Sequence, residues 1–261
     1  MIIELIYPSI IIALCIAISA GVLSCFVVWR RMAFFADALS HSAILGTSLA
    51  LLLSINPLYG LIFYGLLVAL SLSHFSDKIQ LSSDTFLAII SQTSLAIGLL
   101  ALGFLPQQFS IEALLFGDIL AANKQDILPT VLVSALICII CFYCRLDLIR
   151  FCLDEELAQT EGLNTPVLHS LLMLMLVALI ALAIQLLGVL LVSTLLLMPA
   201  ATARSLAKSP LQMLVIAPVF AVVACAIGIS LSLSFDQLTT GPTIVVSAAL
   251  LWLTSLMAQK P

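Results

Sequence analysis

Two residues able to ligate a cation stand four positions apart in an almost uncharged setting: Asp37 and His41, within the stretch FFADALSHSAILG from Phe34 to Gly46. On a helix, positions i and i+4 share one face, so carboxylate and imidazole project together, one turn apart. A carboxylate at the centre of a bilayer costs on the order of 3 kcal/mol, which drives it toward a protein interior or an aqueous path. Two readings follow. In one, Asp37 and His41 bond to each other or to nearby hydroxyls such as Ser40 and Ser42, and hold helices together. In the other they line a cation path, since oxygen and imidazole donors suit borderline divalent metals, zinc above all. Two copies facing each other across a dimer axis would then offer two Asp and two His to a passing ion.

A second group is Cys138, Cys141 and Cys144 in CIICFYC, three thiols along one side of a helix. Thiolates bind zinc tightly whereas transport requires release, and free cysteine also serves as a small membrane-core hydrophobe. His74 and His169 fall near expected helix ends, where an interfacial polar side chain needs no further role. The chain has no H-E-x-x-H, G-x-S-x-G or G-x-x-x-x-G-K-[ST] pattern. Without a P-loop, any ATP that drives transport is hydrolysed by another polypeptide.

The elements that must position these residues are membrane helices. Of 261 residues, 63% are hydrophobic and 8% charged, with mean hydropathy +1.30, whereas soluble domains carry roughly 25% charged residues. Apolar runs fit for crossing the hydrocarbon core lie at 5–29, 33–53, 57–75, 85–105, 127–144, 211–234 and 241–258. The first is too long for a signal-peptide core and follows Glu4 instead of a basic region, so it reads as a retained helix. Its Ala13, Ala17, Gly21 and Cys25 form a small-residue stripe for close helix packing. The stretch 168–203 is long for one span, and Gly188 and Pro199 interrupt it in a way that permits short or broken helices.

If that stretch crosses twice and the N-terminus is outside, Arg30, Arg31, Lys78, Arg145, Arg150, Arg204, Lys208 and Lys260 share the cytoplasmic side and only Lys124 lies outside. The positive-inside rule demands this asymmetry. The expected fold is therefore an all-α polytopic membrane helix bundle of nine crossings, or eight if 168–203 holds one tilted helix. The polar segment from Arg145 to Pro166 is then cytoplasmic, with a short helical pattern from Asp154 to Thr160 stopped by Gly162 and Pro166. Asp154, Glu155 and Glu156 suit the positive end of that helix's dipole. With no internal repeat, residues 1–261 read as one integral membrane domain, and its net charge of −4 offers nothing for nucleic acid.

Five stretches carry a family resemblance: FVVWRRMAFFADALSHSAILG (26–46), LLFGDILA (114–121), LDEELAQTEGL (153–163), GVLLVSTLLLMPAATAR (188–204) and TGPTIVV (240–246). In this order they resemble, nearly end to end, the integral permeases of bacterial ABC importers for zinc, manganese and iron, and most closely those for zinc. The resemblance implies a type II-like permease in the bacterial cytoplasmic (inner) membrane, surrounded by lipid. It implies a homodimer with its path on the two-fold axis, a separate ATP-binding cassette ATPase subunit inside, and an extracytoplasmic metal-binding protein outside. Zn2+ would be a substrate in transit, with no permanently bound cofactor. Carried over, Asp37 and His41 become the metal-contacting pair, and Asp154, Glu155, Glu156, Leu157, Ala158 and Gly162 the ATPase-coupling segment. Gly188, Ser193, Thr194 and Pro199 fall in the broken-helix region beside the path, and Glu112 and Asp118 on the outer side, where a binding protein would dock. The Cys138, Cys141 and Cys144 face departs from the family pattern.

A transport site must be weak: two Asp charges across a dimer balance a divalent cation, while a site as tight as structural zinc would trap it. The remaining alternatives are a manganese or iron permease of the same family, a proton-coupled carrier relaying through Asp37 and His41, and an intramembrane hydrolase using one of the many serines.

Overall fold

The computed structural model describes residues 2–75, 83–104, 122–235 and 237–258, and every regular element among them is a helix. In chain order these are α1 (Ile2–Trp29), α2 (Ala33–Leu52), α3 (Pro57–Phe75), α4 (Ser83–Leu102), α5 (Lys124–Tyr143), α6 (Arg145–Leu153), α7 (Glu155–Thr160), α8 (Thr165–Leu187), α9 (Val189–Leu195), α10 (Met198–Leu206), α11 (Pro210–Ser234) and α12 (Thr240–Ala258). Seven are long and apolar enough to cross a bilayer. Two shorter apolar segments, Pro57–Ser71 and Leu191–Leu206, accompany them among the described residues.

The bundle is apolar inside and out, as lipid requires. Leu176, Leu179 and Ala183 of α8 are fully buried, while Phe63, Leu100 and Val215 point outward with about 70% of their surface exposed. Lipid tails are as apolar as leucine, so close backbone approach, not hydrophobic contrast, holds the helices together. Glycines permit that approach. A side chain at Gly21 of α1 would strike Pro218 of α11, one at Gly46 of α2 would strike Gly60 of α3, and one at Gly228 of α11 would strike Ile244 of α12. On the other side of α2, Gly98 of α4 lies against the Leu45 backbone. The stripe on α1 is used for packing: Ala13, Ala17 and Cys25 are at most 1% exposed.

Side-chain hydroxyls add cross-helix ties. Ser19 of α1 donates to Ser134 Oγ of α5 at 3.3 Å, Ser48 of α2 donates to the Gly98 carbonyl of α4 at 3.1 Å, and Tyr64 of α3 meets Ser94 of α4 at 2.9 Å. The two ends of the bundle differ in charge. Lys124 stands 5.5 Å from the Tyr7 ring at one end, and Arg30, Arg150, Glu155 and Glu161 pair up at the other.

The polar connection 145–166 holds more structure than its sequence pattern suggests. Besides α7 it forms α6, which buries Leu148, Ile149, Phe151 and Cys152 while Leu146 and Leu153 stay exposed. The charges of Arg145, Asp147 and Arg150, interleaved with these apolar positions, conceal that amphipathic helix from a hydropathy reading.

Candidate functional site

The chain reaches α2 from α1 through a tight turn. Met32 N donates to the Val27 carbonyl at 2.9 Å, and Arg31 occupies the left-handed region with φ 55°. Helix α2 then buries Phe35, Ala36, Ala38, Leu39 and Ala43, and its alanines, serines and glycine let α3, α4 and α9 pack against it. Asp37 and His41 share its one remaining open face.

His41 Nδ1 lies 3.5 Å from Asp37 Oδ2 and 2.9 Å from Ser91 Oγ of α4. The nearer contact is a full hydrogen bond; the farther is a loose electrostatic one. Ser91 is 3% exposed, so a buried hydroxyl on a neighbouring helix fixes the imidazole ring. With Nδ1 engaged by Ser91, Nε2 makes no hydrogen bond among the described residues and is the nitrogen left for a ligand. The Asp37 side chain keeps 44% of its surface exposed, against 21% for His41. Among the described residues, no three His, Cys, Asp or Glu side chains gather closely enough to hold a metal ion. One copy of the chain therefore offers two candidate donors and open space beside them.

Ser40 and Ser42 do not partner the pair. Their hydroxyls, and that of Thr47, are buried without a hydrogen-bond partner among the described residues. The reason is helical geometry, because neighbours in sequence project about 100° to either side of His41, at 3.6 residues per turn.

Beside α2 the backbone of the next region is broken. Helix α8 ends at Gly188, which takes φ 79° and ψ 163°, and its N–H closes on the Ile184 carbonyl at 3.0 Å. Such a φ suits glycine and ends the helix. Helix α9 runs only to Leu195, and α10 starts at Met198 with Pro199 in its first turn, where a missing N–H costs nothing. Ser193 and Thr194 sit half-buried on α9, which packs against α2, α8 and α12.

In the polar connection 145–166, Asp154 caps α7: its Oδ1 accepts from Leu157 N at 2.9 Å. Gly162 closes the helix with φ 84°, its N–H donating to Gln159, while Leu163 N donates to the Ala158 carbonyl at 3.0 Å. Ala158 is fully buried against the bundle, whereas Leu153, Leu157 and Glu156 face outward. Arg150 pairs with Glu161 at 3.4 Å across two exposed side chains. The acidic first turn and exposed leucines form a small mixed surface on a capped helix.

The cysteine trio does not converge. Cys141 is buried with its thiol 4.0 Å from Met175 Sδ, whereas Cys138 and Cys144 are half-exposed. His169 sits at the start of α8 with its ring 6.3 Å from that of Phe151. Glu112 and Asp118 lie outside the described residues, as does the His74 side chain.

Sequence reasoning missed Ser91. The signal was present, since Ser91, Gln92, Thr93 and Ser94 form a polar run in a mostly apolar helix, and two of its three hydroxyls bond to His41 and Tyr64.

The comparisons with known proteins agree with this architecture. The chain is 32% identical over 258 residues, 98% of both chains, to the high-affinity zinc uptake system membrane protein ZnuB of Haemophilus influenzae. It is 32% identical over 248 residues to the manganese import system permease protein ScaB of Streptococcus parasanguinis, covering 95% of this chain and 88% of that one. The solved structure of PsaBC from Streptococcus pneumoniae in complex with Fab matches with a TM-score of 0.86 at 31% identity, over 97% of this chain and 91% of the other. The ABC 3 transport family matches residues 2–259, and the chain belongs to that family.

Proposed function

We propose that this chain is the permease subunit of an ATP-driven importer of a divalent metal ion, zinc first, in the bacterial inner membrane. The single observation that carries this is the Asp37 and His41 pair on one face of α2, held by Ser91, in a chain alike over its whole length to a zinc uptake permease. The chain is not an enzyme; a separate ATP-binding cassette subunit hydrolyses ATP, and an extracytoplasmic protein delivers the metal.

A single copy supplies one carboxylate and one imidazole, too few for a divalent ion stripped of water. A homodimer placing two α2 helices about its axis supplies two of each and two compensating charges. Asp37 attracts the cation and His41 Nε2 replaces one of its waters. Ser91 holds the ring so that neither must be ordered as the ion arrives. Oxygen and nitrogen donors without thiolates keep the ion releasable, and the broken pair α9 and α10 beside α2 leaves backbone free to rearrange along the path. The exposed face of α7, with Asp154, Glu156 and Leu157, meets the ATPase, while buried Ala158 seats the helix on the bundle, Glu155 turns to Arg30 and Gly162 ends the helix.

Manganese is the second reading, favoured by the similarity to ScaB and by the same donor set, which follows the Irving–Williams order without excluding weaker binders. The test is ATP-dependent uptake of zinc and of manganese into proteoliposomes holding the complete complex. Asp37→Asn and His41→Ala abolish uptake with the complex still assembled. Normal uptake by both variants would refute the site.

A further inference from the structure

Arg30 ties the cytoplasmic connection to the bundle. It follows the last residue of α1, and its Nη1 donates to Glu155 Oε2 in the first turn of α7 at 2.8 Å. The guanidinium carbon stands 4.4 Å from the centroid of Phe151 in α6. Phe151 is fully buried and meets the His169 ring of α8 edge-on. One side chain thus makes a charge-assisted hydrogen bond and a cation–π contact at once, a combination that the flat guanidinium serves and an ammonium does not. Its neighbour Arg31 makes no ion pair among the described residues.

Position along the chain gives this contact its meaning. Arg30 opens the tight turn that launches α2, and Asp37 follows within about 10 Å along the axis at 1.5 Å per residue. The second ion pair, Arg150 with Glu161, stays inside the connection and joins α6 to the end of α7. A displacement of α7 therefore reaches the turn before α2 through the Arg30 pair, while the Arg150 pair stays within the connection.

We infer that Arg30 is the positioning residue that transmits movement of the ATPase-facing segment to the metal-contacting helix, with Glu155 as its grip and Phe151 as its guide. The inference rests on the importer reading above. It assigns Arg30 no contact with the ion and no part in ATP hydrolysis. Loss of the pair separates hydrolysis from transport instead of stopping either at its source.

The test is the number of zinc ions imported per ATP hydrolysed by the complete complex in proteoliposomes. The variants are Arg30→Met, which keeps an apolar stem over Phe151, Glu155→Gln, and the reversal Arg30→Glu with Glu155→Arg. Both single variants keep the ATPase attached and hydrolysing, while the ratio falls about tenfold, the scale of a typical coupling between sites. The reversal recovers the ratio severalfold over either single change. Three results overturn the inference: a wild-type ratio in both single variants, a reversal no better than they are, or detachment of the ATPase in place of a lowered ratio. Should Arg30→Met fail to fold, Glu155→Gln carries the test, because Glu155 keeps 41% of its side chain exposed. A wild-type complex that hydrolyses ATP and moves neither zinc nor manganese refutes the importer reading and this linkage with it, whereas a transporting wild type with unchanged variants refutes the linkage alone.

Discussion

Replacing Gly98 by alanine tests whether backbone contact between α2 and α4 sets the geometry of the face that carries Asp37 and His41. An alanine Cβ there would stand 2.8 Å from Leu45 N and 3.0 Å from Leu45 Cα, where ordinary contact begins near 3.4 Å. Both opposing atoms are backbone and cannot turn aside, so α4 must withdraw by about 0.6 Å. Overpacking of this kind costs about 1–3 kcal/mol. Ser91 lies on the same helix two turns earlier, and an equal shift takes its hydroxyl from 2.9 Å to about 3.5 Å from His41 Nδ1, past hydrogen-bonding range. Gly65→Ala is the control: it brings the same gain in helix propensity, but its Cβ would meet only a Val177 methyl at 3.0 Å, which can give by a few tenths of an ångström. Thermal unfolding of the detergent-solubilised protein should rank Gly98→Ala below Gly65→Ala by 1 kcal/mol or more, about the low end of overpacking costs. Zinc uptake should fall for Gly98→Ala and persist for Gly65→Ala. Equal stability and equal uptake in the two variants would refute the reasoning.

Ser91→Ala removes one buried hydrogen bond, worth about 1 kcal/mol of stability, and should weaken metal binding about tenfold as the imidazole loses its support, read by zinc titration of the complex. Gly162→Ala forces a side chain into φ 84° with nothing within 4 Å to clash, a purely backbone cost of about 1 kcal/mol, so ATPase retention on washing should fall about fivefold. Cys152, on α6 outside the membrane-spanning helices, is 4% exposed, and burial pushes its thiol up to about 12 although Arg30 pulls it partly back. At pH 8 only about one part in ten thousand is thiolate, so maleimide should leave it untouched until the pH approaches 12 or the protein unfolds, while Leu157→Cys on the exposed face of α7 reacts at once.

Much of the architecture is legible in the sequence because lipid imposes simple rules. Long apolar runs end at charges, Gly188 and Pro199 mark where a helix stops and another starts, and Asp154 with Gly162 brackets α7 as cap and stop. What escaped reading depends on contacts between distant segments. Arg30 reads as a topology marker, and nothing local announces that it reaches Glu155 across 125 positions. Ser91 reads as one serine among many until α4 lies against α2. The cysteine trio shows the opposite failure: residues spaced by three share a side of a helix in outline, yet Cys141 turns inward and its fellows remain half-exposed.

The glycine contacts have a mechanical consequence. Gly46, Gly60 and Gly98 lock α2 to α3 and α4 backbone to backbone, and Gly21 and Gly228 lock α11 to α1 and α12. Helices α1 and α2, though consecutive, barely touch along their lengths, and α8 and α9 fill the space between the two laminates. Interlocked backbones resist sliding, whereas side-chain layers repack at small cost. Relative movement is therefore easiest along a plane between the two plates, which the chain crosses at the hydrogen-bonded turn Arg30–Met32. Distances between spin labels within one plate should hold through the ATP cycle, and distances across the plane should alternate. The Asp37 and His41 pair rides on the surface of one plate, so its neighbours across the plane change in such a movement while its own geometry, set by α4 behind it, stays constant.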